Sequence, residues 1–241
     1  MKNNFENIRP KSDSSKHYRF RIMGKGPNLL ILGGSSDDWE NALELLSSNF
    51  TLIIPSFSKA ILDRQTGSPD PIFYLENLLE ELSIDRFSIL AHSVSSWIGL
   101  RLAAIHPERV TKLILANLPS AIEDRFSFQQ LHQVLAGKRN PASTDQSSFW
   151  FDQVFCQLSF LNEAKEVLKR TPFLMIVGET DRFFSREKFA NWSNLSDANL
   201  NLEVIRFSGH FSMKDNPWYF SAIAKEFLQS HSYKSLRSRT A

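Results

Sequence analysis

The sequence predicts an α/β fold in which helices cover both faces of a mostly parallel central sheet. Short apolar runs, which suit strands buried on both sides, alternate with segments whose apolar residues recur at helical spacing. Alternation of this kind is typical of parallel sheets with crossover helices. The length of 241 residues, with 42% hydrophobic and 22% charged residues, fits one large domain with a substantial core.

The first half of the chain supplies four predicted strands and three predicted helices. Residues 18–23 alternate as a strand does, and residues 28–32 (NLLIL) form an apolar run that ends at two glycines. Residues 51–54 (TLII) stop at a proline, and residues 87–91 (FSILA) lead towards a serine. Helices are predicted where apolar residues recur three and four positions apart, over 39–46, 71–82 and 94–105.

The second half continues this alternation after one long interruption. Strands are predicted at 110–116 (VTKLILA), 172–177 and 202–207, followed by a helix over 218–228. Residues 118–170 contain no convincing strand, so they are expected to form a mostly helical cap inserted on the sheet. The predicted organisation is a core of residues 18–117 and 171–229, the cap of 118–170, a flexible N-terminal extension of 1–17 and a disordered tail of 230–241.

Composition excludes several classes of protein. The net charge is +2, and three of the positive charges lie in the last eight residues (Lys234, Arg237 and Arg239), so nothing favours a nucleic-acid partner. Cys156 is the only cysteine, which rules out a disulfide within the chain.

No apolar stretch approaches the roughly 18 to 20 residues of a membrane span, and no signal peptide is evident, so a cytoplasmic location is expected. No metal-binding or phosphate-binding motif is present, which predicts a protein without cofactor or metal.

Three chemically distinctive residues each follow a predicted strand. Ser93 follows the strand at 87–91, Asp181 follows the strand at 172–177, and His210 follows the last strand. Ligands of open parallel sheets bind at the carboxyl ends of the strands, where these three side chains are expected to meet. Because a serine hydroxyl is a weak nucleophile, it needs a base within hydrogen-bond reach, and that base needs an acid to orient it. The pattern therefore favours nucleophilic catalysis.

Each of these residues also has a structural interpretation. Ser93 could simply cap a helix, a role that serine fills well. Asp181 could be a turn residue, and Glu179, two positions earlier, is a rival acid. His210, between a glycine and a phenylalanine, could also belong to a turn. His92 is expected to pack beside the serine rather than to take part in catalysis. The three strand ends taken together favour the catalytic interpretation.

The motifs around these residues resemble those of the α/β-hydrolase superfamily. The stretch AHSVS is similar to its nucleophile elbow, usually G-x-S-x-G, with the small residues Ala91 and Ser95 in place of the glycines. TPFLMIVGETDRFFS resembles the strand that carries the acid, and VIRFSGHFSMKDNPWYFSAIAKEFL resembles the terminal segment that carries the base. The resemblance implies that Ser93 is the nucleophile, Asp181 the acid and His210 the base.

The resemblance extends over roughly residues 18–229 and implies an oxyanion hole made of two backbone N–H groups. One is expected from Val94, directly after the nucleophile. The other is expected from Gly34, although Gly33 or Ser35 could serve instead. Members of the superfamily usually carry His-Gly after this strand, whereas this chain has Gly-Gly, and the loop is about two residues short.

The predicted substrate pocket rests on aromatic side chains. Phe126, Trp150, Phe151 and Phe155 lie in the cap segment, and Phe211 follows His210. They can line an apolar pocket above the serine, as acyl-chain sites require. They can equally seat the cap helices on the core, and the sequence alone does not choose between the two.

The resemblance implies hydrolysis of a carboxylic ester or thioester with a small to medium, apolar acyl group, through an acyl-enzyme. The expected partner is thus a small-molecule ester or thioester. The general size is similar to that of pimeloyl-carrier-protein methyl ester esterases. The same three residues also serve carbon–carbon bond hydrolysis, lyase reactions, cofactor-free cyclisation and acyl transfer, and the fold hosts binding proteins without catalysis. These alternatives stay open at the level of the sequence.

Overall fold

An eight-stranded mixed sheet organises the chain. The computed structural model describes residues 6–8, 18–56, 71–118, 166–182 and 201–230, and every structural statement below refers to these residues. The strands are β1 (Glu6–Ile8), β2 (Tyr18–Met23), β3 (Asn28–Leu32), β4 (Thr51–Pro55), β5 (Phe87–His92), β6 (Val110–Ala116), β7 (Phe173–Gly178) and β8 (Asn201–Ile205).

The strands follow one another in space in the order β1-β2-β4-β3-β5-β6-β7-β8. The first two pairings, β1 with β2 and β2 with β4, are antiparallel. Every pairing from β4 to β8 is parallel, so the carboxyl ends of these six strands lie along one edge of the sheet. This edge is where a ligand site is expected.

The helices are α1 (Ser36–Ser47), α2 (Pro71–Glu81), α3 (Ser95–Ile105), α4 (Ser212–Asp215) and α5 (Pro217–Gln229). The side chains of β3 show how they are arranged. Leu30 and Leu32 belong to a buried cluster with residues of α2 and α3, whereas Leu29 and Ile31 belong to a second cluster with residues of α1 and α5. Because successive side chains of a strand point to opposite faces, an uninterrupted apolar run requires helices on both sides.

The fold class predicted from the sequence is confirmed. All seven predicted strands are present, with ends that differ by at most two residues, and the predicted helices over 39–46, 71–82, 94–105 and 218–228 correspond to α1, α2, α3 and α5. The predicted cap falls on residues 118–170, of which 119–165 lie outside the described residues. Among the described residues, no helix is both long enough and apolar enough to cross a membrane.

One strand was not predicted. Residues 1–17 are predicted from the sequence to be a flexible extension, but the backbone of Glu6–Ile8 pairs with β2, with Glu6 opposite Phe20 and Ile8 opposite Tyr18. These three residues thus form an edge strand that the sequence did not predict. A strand of three residues has too little side-chain alternation to stand out in a sequence, because its stability comes from the hydrogen bonds to its neighbour.

Candidate active site

Three loops at the carboxyl edge of the sheet bring Ser93, Asp181 and His210 together. Ser93 directly follows β5, Asp181 lies three residues after β7, and His210 lies five residues after β8. All three are buried, with 7%, 6% and 9% of their surface exposed. The parallel arrangement thus unites residues that are up to 117 positions apart in the chain.

The backbone at Ser93 is held in an uncommon conformation. Its φ is +54°, in the left-handed region that non-glycine residues rarely adopt. The Ser93 N–H donates to the carbonyl of Ala116 on β6 at 2.8 Å, and its own carbonyl accepts from the N–H of Ser96 in α3 at 3.0 Å. Strain of this kind persists only when the surroundings determine it, and it is typical of functional sites.

A chain of hydrogen bonds joins the three side chains. His210 Nε2 lies 2.9 Å from Ser93 Oγ. On the other side of the ring, His210 Nδ1 lies 3.1 Å from Asp181 Oδ2 and 3.3 Å from Oδ1. With a proton on Nδ1, the imidazole presents the lone pair of Nε2 to the serine hydroxyl. The arrangement can remove a proton from the hydroxyl and stabilise the imidazolium that forms.

Two buried residues that the sequence analysis did not single out hold the aspartate. Asn117, directly after β6, donates from Nδ2 to Asp181 Oδ2 at 2.8 Å and to the carbonyl of Gly209 at 3.2 Å. Ser212, at the start of α4, donates from Oγ to Asn117 Oδ1 at 2.5 Å. The carboxylate of Asp181 and the carbonyl of Gly209 only accept, so they fix the amide nitrogen of Asn117 on their side, and its amide oxygen accepts from Ser212.

The rival acid does not take part in this chain. Glu179 is exposed, and its Oε2 accepts the backbone N–H of Phe207 at 3.2 Å. The turn after β7 also lies very close to the loop of His210, because a Cβ on Gly178 would collide with the carbonyls of Ser208 and Gly209. The absence of a side chain at Gly178 thus lets Asp181 approach the histidine.

The Gly33–Gly34 loop after β3 lies beside the turn of Ser93. Both glycines have positive φ, +84° and +74°. A Cβ on Gly33 would come within 2.6 Å of the His92 carbonyl and 2.9 Å of Ser95 Oγ, so the loop backbone packs directly against the turn. Among the described residues, no acceptor takes the N–H of Gly34 or of Val94. Within the described part of the chain, these two backbone donors near the turn of Ser93 thus have no acceptor.

His92 directly precedes Ser93, is buried, and packs against His210. Its ring contacts those of His210 and Phe211, with centroids 5.0 Å and 5.4 Å away, and its Nε2 lies 2.8 Å from the His210 carbonyl oxygen. A carbonyl only accepts, so Nε2 carries the proton. The pKa of His92 is lowered from 6.5 to about 4, chiefly by burial and in part by the electrostatic effect of the neighbouring His210 ring.

His92 is expected to make the protein less stable in acid. Between pH 6.5 and about 4 the unfolded chain protonates this ring while the folded protein keeps it neutral, so the unfolded state binds more protons and a falling pH favours unfolding. His92 thus lowers the free energy of unfolding by about 1.4 kcal/mol for each pH unit below 6.5. The decrease reaches about 3 kcal/mol near pH 4 and stays constant at lower pH. Urea unfolding at a series of pH values between 7 and 4 measures this decrease.

Variant His92→Gln is the matched control for this pH dependence. Glutamine can still donate an N–H to the His210 carbonyl, but it does not titrate. Carboxylates protonate in both proteins, so their contribution cancels in the difference. The difference in free energy of unfolding between the two proteins should change by about 3 kcal/mol between pH 7 and pH 4. A constant difference across this range would contradict the prediction.

Of the five residues predicted to line the pocket, one is described. Phe211 is half-buried, and its ring meets that of His210 edge to face at 5.4 Å. Phe126, Trp150, Phe151 and Phe155 lie outside the described residues. Their role in the pocket stays a prediction. Within the described parts of the chain, no group of three or more His, Cys, Asp or Glu side chains could hold a metal ion.

Solved structures identify the fold. Cfl2 from Burkholderia cenocepacia superposes with a TM-score of 0.69 at 19% identity, covering 93% of this chain and 96% of its own. An α/β-hydrolase enzyme from a sediment metagenome of the Mar Chica lagoon, Morocco, gives 0.68 at 16%, covering 94% and 98%. The meta-cleavage product hydrolase CumD gives 0.61 at 16%, covering 92% and 97%. The chain has the α/β-hydrolase fold, which is the fold that the resemblance of its motifs implied.

Sequence relatives match shorter segments. A protein of Serratia proteamaculans, provisionally named carbamate hydrolase RutD, is 28% identical over 110 residues, which are 41% of this chain and 41% of the relative. The uncharacterised Mycobacterium tuberculosis protein Rv2715 is 29% identical over 112 residues, which are 44% of this chain and 33% of that protein. The matched part thus spans less than half of these relatives. No protein-family model matches the chain.

Proposed function

We propose that this chain is a serine hydrolase that cleaves a carboxylic ester or thioester through an acyl-enzyme. The observation that carries the proposal is the Ser93–His210–Asp181 chain of hydrogen bonds, with contacts of 2.9 and 3.1 Å, at a serine with positive φ. A structural serine or histidine would need no such chain. The combination of a strained, buried hydroxyl with an oriented base is what nucleophilic catalysis requires.

The reaction proceeds in two halves on the same residues. Ser93 Oγ attacks the carbonyl carbon while His210 Nε2 takes the hydroxyl proton, and a tetrahedral oxyanion forms. His210 then passes that proton to the leaving alcohol or thiol, which departs as the acyl-enzyme forms. Water, deprotonated by His210, attacks the acyl-enzyme and releases the acid. Asp181 holds the Nδ1 proton in place and stabilises the imidazolium in both halves.

The oxyanion is stabilised by two backbone N–H groups in the proposed mechanism. Val94 supplies one, since it directly follows the nucleophile at the start of α3. Gly34 supplies the other, from the loop that packs against the turn of Ser93. Both N–H groups are without a partner among the described residues, which supports this assignment. Donors already in place cost no reorganisation when the negative charge develops.

The proposed substrate carries an apolar acyl group of small to medium size, in keeping with the aromatic residues of the cap segment. A carbamate is the second candidate, because a relative bears the name of a carbamate hydrolase. Serine attack on a carbamate carbonyl uses the same geometry and differs only in the group released. Carbon–carbon bond hydrolysis is a further alternative, because a meta-cleavage product hydrolase is among the structural neighbours. A cytoplasmic location and the absence of a cofactor stay predictions.

Covalent labelling and a substrate series test the proposal together. A fluorophosphonate should modify the wild-type protein with a stoichiometry of one, and mass spectrometry should locate the adduct on Ser93. A chain-length series of p-nitrophenyl esters, with matched thioesters and carbamates, should show turnover that peaks at one acyl length. The preferred length would give the size of the pocket.

The two readouts separate the alternatives. Labelling at Ser93 without turnover of esters, thioesters or carbamates would favour carbon–carbon bond hydrolysis or a lyase reaction. Neither labelling nor turnover would overturn the hydrolase proposal and favour a binding protein on this fold. Turnover without an adduct on Ser93 would place the nucleophile elsewhere.

A further inference from the structure

The geometry points to Trp39 as a positioning residue that sets the orientation of the Gly33–Gly34 peptide, and so directs the Gly34 N–H into the oxyanion hole. This inference rests on the proposed function. It explains how the Gly33–Gly34 loop, which replaces the usual His-Gly, can present an N–H to the oxyanion. Trp39 belongs to α1 and takes no part in the reaction itself.

The peptide between the two glycines has little intrinsic preference for one orientation. Gly33 and Gly34 both adopt positive φ, at +84° and +74°. Rotation of a peptide plane is opposed mainly by the side chains on either side of it, and neither residue has one. A contact from elsewhere must therefore select the orientation seen in the structure.

That contact is a short hydrogen bond from the indole. Trp39 Nε1 donates to the Gly33 carbonyl oxygen at 2.6 Å. In a trans peptide the carbonyl oxygen and the following N–H point in opposite directions, and no peptide bond in the described residues is cis. Holding the carbonyl of Gly33 towards the indole thus turns the N–H of Gly34 away from it. A flip would bring the Gly34 N–H towards the indole N–H, where two donors would oppose each other.

The indole is itself firmly placed. Trp39 is 2% exposed, and its ring meets Phe220 edge to face with centroids 5.8 Å apart. It also meets the ring of His92 at 6.3 Å, and a Cβ on Gly34 would collide with its Nε1. The start of α1 is tied down as well, because Asp38 accepts the N–H and the hydroxyl of Ser35 at 2.9 and 2.6 Å. A firmly placed donor can therefore fix the orientation of a peptide that has little preference of its own.

Losing the indole N–H should weaken binding of the transition state and leave binding of the substrate nearly unchanged. Removing an oxyanion donor outright typically costs about 10²- to 10³-fold in kcat. Variant Trp39→Phe keeps an aromatic ring but removes the indole N–H. The Gly34 N–H stays in the chain, but the indole no longer fixes its direction. We expect kcat to fall about 10- to 100-fold, with KM within about threefold.

The test compares Trp39→Phe with the wild type on the best ester of the series, and measures inhibition by the matching trifluoromethyl ketone. Ser93 adds to that ketone to form an oxyanion, so the inhibition constant should rise by the same factor as kcat/KM falls. Binding of the product acid, which needs no oxyanion hole, should not change. The control is Trp218→Phe, which alters a tryptophan with 73% exposure in α5 and should affect neither quantity.

A second variant covers the case in which Trp39→Phe does not fold. Benzothienylalanine at position 39 replaces the indole N–H by sulfur and keeps the shape of the ring, so it should show the same loss of kcat and of ketone affinity. Wild-type rates in either variant would overturn the inference, as would a loss of kcat without a matching loss of ketone affinity. If the wild type itself shows neither turnover nor labelling, the proposed function fails instead.

Discussion

Replacing Ser93 by alanine is expected to lower kcat by about 10⁴-fold or more on the best ester substrate. The variant lacks the hydroxyl oxygen that lies 2.9 Å from His210 Nε2, so no acyl-enzyme can form. Residual activity would come from the oxyanion donors and the base acting on water. The measurement is kcat and KM by initial rates, with the fluorophosphonate adduct followed by mass spectrometry. KM should change little, because the hydroxyl contributes to the transition state rather than to substrate binding.

The control for this variant is Ser221→Ala. Ser221 lies in α5, is 2% exposed, and its hydroxyl has no hydrogen-bond partner among the described residues. Its removal should leave both activity and stability close to those of the wild type. A Ser93→Ala protein that keeps more than about a hundredth of wild-type kcat would contradict the nucleophile assignment. So would a comparable loss in Ser221→Ala.

The sequence predicts the sheet well because each strand carries its own local signal. Buried parallel strands are short continuous apolar runs, and their ends coincide with glycine, proline or polar residues, as at Leu32 and Pro55. Ser93, Asp181 and His210 could be found for the same reason, since each stands just beyond such a run. The distances between them could not be found, because they depend on how the loops pack against each other.

The residues that support the site were harder to find. Asn117 stands at the carboxyl end of β6, so the rule that identified the other site residues would have reached it too. Its role was missed because an asparagine carries no reactive group. Ser212 and Trp39 give no signal in the sequence at all. Ser212 acts through a hydrogen bond to a residue 95 positions away in the sequence, and Trp39 through a hydrogen bond to a loop carbonyl. Periodicity detects burial but not such contacts.

Truncating Asp181 to alanine is expected to lower kcat by about 10⁴-fold. His210 would lose both the acceptor that fixes its tautomer and the charge that stabilises its protonated form. The change would also leave the amide of Asn117 without its carboxylate partner in a buried position. An unsatisfied buried donor costs about 1–3 kcal/mol, so the melting temperature should fall as well. Rates and thermal unfolding of the purified variant measure both effects.

Variant Asp181→Asn should retain at least tenfold more activity than Asp181→Ala, because Asn117 dictates how the new amide is oriented. The donors on Asn117 and His210 both point at Oδ2, at 2.8 and 3.1 Å. Only the amide oxygen of the new asparagine satisfies both at that position, so Nδ1 of His210 keeps its proton and the tautomer is preserved. What is lost is the charge alone. Equal rates for Asp181→Asn and Asp181→Ala would refute this orientation. Variant Glu179→Ala, which removes the exposed neighbouring acid, should keep wild-type kcat within about threefold, since that carboxylate contacts the backbone of Phe207 and not His210.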